Sequence, residues 1–311
     1  MRQVVHFCVT LSLPVLFPFG DLRAEPVAHG QAITRTNTGP AAAGYTLPAP
    51  IAGGEIRDGR AYPFAKDVAG SATYDGFKVK GPHLLIEGVA FSSTLDIWRS
   101  TPVVLRGVSL RPQGASPFAL LTRPGAGPVY VLWSEAGGSD ADKVHRVGAG
   151  LALRAGNAIV YRSHMSKASD GIDISGSNIT VTENLIDNLT SFEGDHNDAV
   201  QVMGAPHDIS ITRNRIVNAN PQTSCLYLLG HRIDVADNYL AGGGWTIYGG
   251  ARNNGHGGQS ATQIHITGTV FGRDVFAKSG HFGPISYWDG DLASSNVWVN
   301  NRFSDGAPVK P

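Results

Sequence analysis

Four stretches of the chain share one short grammar: a polar residue, alternating apolar residues, and a closing Asn or Gly. Asn178-Ile-Thr-Val-Thr-Glu-Asn184, Asp208-Ile-Ser-Ile-Thr-Arg-Asn214 and Arg232-Ile-Asp-Val-Ala-Asp-Asn238 align, and Gln263-Ile-His-Ile-Thr-Gly268 continues the series. The closing positions 184, 214, 238 and 268 are 30, 24 and 30 residues apart. Period-two alternation makes each stretch a strand with one buried face. A second column runs between them. Asp170-Gly-Ile-Asp-Ile-Ser-Gly176, Asp198-Ala-Val-Gln-Val-Met-Gly204 and Ser224-Cys-Leu-Tyr-Leu-Leu-Gly230 align without gaps, and 244–250 and 283–289 follow more loosely. Degenerate earlier copies lie at His83-Leu-Leu-Ile-Glu-Gly88 and Val103-Val-Leu-Arg-Gly107.

Two or more strands every 20–30 residues, at a near-fixed period, predict an all-β solenoid of stacked coils, a parallel β-helix. Ile172, Val200 and Leu226 would stack inward, and Asn184, Asn214 and Asn238 would sit at equivalent bends, bonded from coil to coil. A β-sandwich would need antiparallel hairpin signals every 8–12 residues, and few Asn-Gly or Asp-Gly pairs stand in such positions. Composition agrees: 39 glycines and only 16 % charged residues suit a turn-rich β protein and disfavour a helical bundle.

The expected organisation is a secretory signal peptide over 1–24, an irregular Pro/Ala/Gly-rich leader over 25–73, the β-helix over 74–305 and a tail over 306–311. Arg2, the proline-broken apolar run from Val4 to Phe19 and a small residue at Ala24 carry the first reading. It implies a secreted or periplasmic protein, with no membrane insertion once the segment is removed. Cys8 leaves with that segment, and Cys225 alone cannot form an internal disulfide, so it reads as a small buried hydrophobe. Net charge is zero, which removes the attraction to phosphate that a nucleic-acid binder uses.

From about Gly81 to Asp305 these columns resemble the pectate-lyase superfamily of right-handed parallel β-helices. The stretch is most similar to secreted bacterial β-helix proteins with a His-Asn-Asp-x-x-Gln motif, here His196-Asn197-Asp198-Ala-Val-Gln201. Those proteins share Leu240-Ala-Gly-Gly-Gly244, Val270-Phe-Gly-Arg273 and the closing Asn296-Val-Trp-Val-Asn-Asn-Arg-Phe. Asp170 before Gly171-Ile172-Asp173 resembles one aspartate element of polygalacturonases. Asn197-Asp198 falls where their aspartate pair stands, with Asn as its first member. Pectate lyases hold calcium with acids on successive coils, which Asp170 and Asp198 match, but no arginine precedes Arg232 on the following coil.

The chemistry concentrates in 191–201, which carries Glu193, Asp195, His196 and Asp198. Equivalent positions on neighbouring coils lie about 4.8 Å apart. Asp170 therefore falls beside Asp198, and Asp173 beside Gln201 and Tyr227, the last three facing out into a groove shaped for a sugar chain. Two carboxylates that close do not both ionise cheaply: one pKa rises, or a cation bridges them. The first case makes a general acid; the second, with Ca²⁺, neutralises a uronate carboxylate. Asp170, His196, Asp198 and His231 are the candidate catalytic residues. Asp173, Gln201, Tyr227, Lys167 and Arg232 are candidates for binding substrate, and Asp170, Asp198 and Asp195 for ligating Ca²⁺. Asp and Asn also serve as ordinary solenoid turn residues, a competing reading strongest for Asp173, Glu193 and Asp195. His164 and Lys167 are read the same way. His256, His281, Tyr287, Trp288 and Asp289 form a second cluster that either stacks on sugars or caps the end of the core.

The sequence therefore predicts an exported enzyme cleaving glycosidic bonds of a polysaccharide or oligosaccharide, leaning to Ca²⁺-assisted β-elimination on a uronate polymer. Hydrolysis by the same carboxylates is the alternative, and a non-catalytic carbohydrate-binding or surface β-helix the reading from another class.

Overall fold

A computed structural model of the chain describes residues 48–250, 261–290 and 294–311. The signal segment, the start of the leader and His256 lie outside the described residues.

Alternation becomes three large sheets. The first has nine strands, from Gly54–Ile56 to Gly283–Ser286, and includes Asp170–Ile174, Val200–Val202, Ser224–Leu228 and Trp245–Gly249. The second has ten, from Lys66–Val68 to Val297–Val299, and includes Ile179–Thr182, His207–Thr212, His231–Ala236 and Thr262–Thr267. The third has nine, from Ala90–Phe91 to Arg302–Phe303. In the repeating part the chain visits the three sheets in turn and returns one place further along, so strands three apart in sequence pair in parallel. Lys66–Val68 alone enters its large sheet antiparallel, and Ala72–Tyr74 and Phe77–Val79 form a separate hairpin. The described residues contain no helix.

Inward columns fill the space between the sheets. Leu151, Ile172, Val200, Leu226, Ile247 and Ile285 lie in register on the first sheet. Ile179, Ile209, Ile233 and Ile264 do so on the second, and all are buried. Cys225 is fully buried among them, its thiol pushed up to about 12 by burial, which makes it the inert hydrophobe its setting predicted. The regular part begins earlier than residue 74: Gly54–Ile56 already pairs with Leu95–Ile97, so the 25–73 leader is not irregular throughout. At the other end, the 306–311 tail folds back over the last strand. There Val309 is buried, and its carbonyl accepts the Trp298 indole N–H at 2.7 Å. Pairing of this kind shields a sheet edge that would otherwise recruit another chain.

The asparagine bends are where the repeat placed them. Asn184, Asn214 and Asn238 are buried at equivalent turns between the second and third sheets. Each Oδ1 accepts a backbone N–H of the preceding circuit, from Ser163 (2.8 Å), Asn184 (2.9 Å) and Asn214 (2.9 Å) respectively. Each amide donates to a carbonyl, of Val160, Val181 and Ile211. Ser134 and Ser163 hold the same position earlier, accepting backbone N–H with Oγ. Register corrects one alignment: Gly268 matches Asp237 and Arg213, and Thr269 is the counterpart of Asn238. Replacing Asn214 by Ala orphans a buried N–H and a buried carbonyl, and is expected to cost about 2–4 kcal/mol in urea unfolding. Asn214→Ser, which imitates Ser163, should cost clearly less.

The residue before each of these turn positions is left-handed, a strained conformation for anything but glycine. Arg162, Glu183 and Arg213 occupy it with φ of 46°, 57° and 53°. Their side chains form an ion network, buried at Arg162 and Glu183 and partly exposed at Arg213: Arg162 Nε donates to Glu183 Oε2 at 2.8 Å, and Arg213 lies 3.1 Å from Oε1. The Arg162 guanidinium also lies 4.8 Å over the Trp133 ring.

Candidate active site

The outward column of the first sheet carries the site. Asp173, Gln201, Tyr227 and Tyr248 are in register on consecutive strands, so the predicted alignment of the first three stands and continues into a second tyrosine. Tyr287, from the segment after Gly283–Ser286, completes a row: Tyr227 to Tyr248 is 6.3 Å between ring centres, and Tyr248 stacks on Tyr287 at 5.7 Å. Below this row opens a cleft of about 480 Å³, lined by His196, Asp198, Gln201, Met203, Thr223, Tyr227, Leu229, Tyr248 and Tyr287.

Asp198 is at the bottom, only 1 % exposed. The Ser224 hydroxyl donates to its Oδ1, and Gln201 Nε2 donates to Oδ2 at 3.3 Å. Asp170 is its neighbour, accepting the Asp198 backbone N–H at 2.8 Å. Gly171 makes that approach feasible: a Cβ there would stand 2.4 Å from the Ala199 carbonyl and 2.7 Å from Ile186, closer than real side chains come. The His-Asn-Asp-x-x-Gln motif thus divides its work. His196 is exposed at the rim. Asn197 is buried, its amide donating to the Ser169 and Thr190 carbonyls to pin the loop. Asp198 and Gln201 form the polar floor.

Burial pushes Asp170 up to about 8, reinforced by the charge of Asp198. Burial likewise pushes Asp198 up to about 6, against the hydrogen bonds from Ser224 and Gln201 that favour its anion. Asp173 is raised by burial, opposed by Arg154. Tyr227 reaches about 12 through burial and the nearby Asp198 charge. Both aspartates hold protons in the folded chain at pH values where the unfolded chain has lost them. Their contribution to stability is therefore full below about pH 4 and declines as pH rises through 6 to 8. Thermal unfolding midpoints measured from pH 4 to 9 should fall over that window, and the slope should flatten in Asp170→Asn.

Several sequence candidates belong elsewhere. Asp195 is buried and committed to Arg146, Ser169 Oγ (2.7 Å) and the Phe192 N–H (3.0 Å), so it braces the loop rather than facing a ligand. His231 opens a strand of the second sheet and bonds Thr262 Oγ1 at 2.8 Å. Arg232 is clamped by both oxygens of Asp208, at 2.6 and 2.9 Å, and lines a different surface cleft with Asp234 and His265. Lys167 donates to the Ser139 carbonyl at 3.2 Å, and His164 pairs with Asp187 at 2.8 Å on the third sheet. Glu193 is exposed in its loop. The second aromatic cluster splits: Trp288 packs on Trp298 at the end of the core, as a cap, while Tyr287 faces the cleft.

Sequence reasoning passed over Tyr248, Met203 and Thr223 as lining residues. Tyr248 was within reach, since the loose copy Gly244-Trp-Thr-Ile-Tyr248 carries it one register step beyond Tyr227.

Calcium takes six to eight oxygens, and among the described residues no group of three or more His, Cys, Asp or Glu side chains converges. Asp198 is buried with both oxygens engaged by neutral donors. Compared with known proteins, the chain matches no family model and no curated protein.

Proposed function

We propose that this chain is an exported glycoside hydrolase, built on a right-handed parallel β-helix and cleaving a polysaccharide or oligosaccharide in the tyrosine-lined cleft. The observation that carries the reading is Asp198 in the lining of a cleft shared with Tyr227, Tyr248 and Tyr287, with Asp170 behind it accepting its backbone N–H. The repeated visit to three parallel sheets supports the β-helix, and the likeness to the pectate-lyase superfamily adds its handedness.

Cleavage of an acetal by acid–base chemistry needs one carboxyl that keeps its proton near neutrality and one that does not. Asp198 is the better-supported anion, with the Ser224 hydroxyl and the Gln201 amide directed at it. Asp170 has the Asp198 N–H and a like charge beside it, and retains its proton to higher pH. In this assignment Asp170 protonates the leaving glycosidic oxygen. Asp198 draws the proton from the attacking water, and Gln201 holds a sugar hydroxyl. β-Elimination through calcium is not favoured, for the donor set described above.

The test is incubation of the purified protein with a panel of polysaccharides, following reducing ends and absorbance near 235 nm together. New reducing ends with no rise at 235 nm support hydrolysis. A chelator-sensitive rise at 235 nm would replace it with the lyase. A cleft that binds oligosaccharide without breaking any bond would make the protein a binding module.

A further inference from the structure

We infer that the cleft selects a neutral glycan and discriminates against uronate polymers. The inference rests on the reading above only in taking this cleft as the place where sugar binds. Its substance comes from the charge of the lining. Asp198 is buried at the floor, and both groups directed at its carboxyl oxygens, the Ser224 hydroxyl and the Gln201 amide, are neutral. Asp170 adds a second acid next to it. Among the described lining residues the sole basic side chain is His196, at the exposed rim.

The described cations of neighbouring elements are turned to other work. Arg146 binds Asp195, Lys167 the Ser139 carbonyl, and Arg232 Asp208 on another surface. Arg154 lies 4.9 Å over the Phe118 ring and acts on Asp173, one strand before Gln201. A uronate chain brings one carboxylate per sugar. Each would have to enter an acidic, partly desolvated cleft whose described lining offers no fixed cation to receive it, and like charges at such range cost affinity.

The apolar surface favours the neutral alternative. Tyr227, Tyr248 and Tyr287 line the cleft as a row of mutually packed rings, with Met203 beside them. Aromatic rings take up the C–H side of a pyranose, while its hydroxyls meet Gln201 and Asp198. A wall of this composition recognises ring shape and hydroxyl pattern rather than charge.

The experiment uses the full chain carrying Asp170→Asn, which keeps the Asp198 charge and is inactive under the hydrolase reading. Its affinity is measured calorimetrically at low salt for hexamers of β-linked glucose, mannose and xylose, and for galacturonate and mannuronate hexamers. At least one neutral hexamer is expected to bind about tenfold or more tightly than either uronate, and Tyr248→Ala or Tyr287→Ala should each weaken it about tenfold. Tyr287 is 46 % exposed, so its removal leaves the fold in place should Tyr248→Ala perturb it. Adding Asp198→Asn should narrow the gap by improving uronate binding. A uronate hexamer that binds as tightly as the best neutral one overturns the inference, as does affinity indifferent to both tyrosines or an absence of binding by every hexamer. A wild-type protein that hydrolyses a uronate polymer would sink this inference and leave the hydrolase reading intact. A neutral hexamer bound in the cleft but never cut would do the reverse.

Discussion

An Asp198→Asn protein is expected to lose roughly 10²–10⁴ of the wild-type cleavage rate on whatever polymer the wild type cuts, the range acid–base groups contribute. It should nevertheless unfold cooperatively and bind substrate with nearly unchanged affinity. The change is close to isosteric. An asparagine Oδ1 still accepts the Ser224 hydroxyl, and a turned-over Gln201 amide can accept from the new Nδ2 with its oxygen, so the floor of the cleft keeps its shape. The lost property is the ability to carry a negative charge and take up a proton. Stability at neutral pH should change little or rise, because folding there holds Asp198 buried against its preference for solvent. The measurement is initial rate by reducing ends beside a thermal melt. Full retention of rate in a folded variant would remove Asp198 from the chemistry and reassign the cleft to binding.

The largest stability effect is expected at Glu183, far from the cleft. Glu183→Ala should cost about 3–5 kcal/mol, the usual consequence of withdrawing one partner from a buried ion pair. Arg162 and Glu183 side chains are only 2 % and 1 % exposed, and Arg213 contacts the other Glu183 oxygen. Without the carboxylate, the Arg162 guanidinium is left buried without that ion-pair partner, beside an Arg213 that solvent partly reaches. The Arg162→Met, Glu183→Leu double variant should recover much of the loss, since apolar replacement of both charges removes the desolvation problem along with the attraction. Denaturant midpoints of the single and double variants decide it. A single variant within about 0.5 kcal/mol of wild type would show that the network contributes nothing net.

The inward columns and the asparagine bends were legible in the chain because they are set by local parity and by a period. Alternation determines which side of a strand each residue faces, and gapless repeats determine which residues share a column. Asp173, Gln201 and Tyr227 are therefore together, and Asp170 is beside Asp198, as the alignment required. Turns have no such period. His231 and Arg232 follow the Leu226 strand closely in sequence, yet the chain there has passed into the second sheet, and their partners are Thr262 and Asp208. Lys167 and Asp195 are likewise claimed by contacts with Ser139 and Arg146, 28 and 49 residues away.

Tyr287 shows the converse. Nothing in Gly283-Pro-Ile-Ser-Tyr-Trp distinguishes the aromatic that caps the core from the one that opens onto the cleft. Packing assigns Trp288 to Trp298, and a left-handed φ of 60° at Tyr287 turns its ring onto Tyr248. By itself, then, the sequence determined the strands, their columns and the acid pair, because strand parity and register follow from neighbours along the chain. Only the tertiary structure decided which turn residues complete the cleft and which acids are already spent on arginines, because those pairings depend on where unrelated segments meet in space.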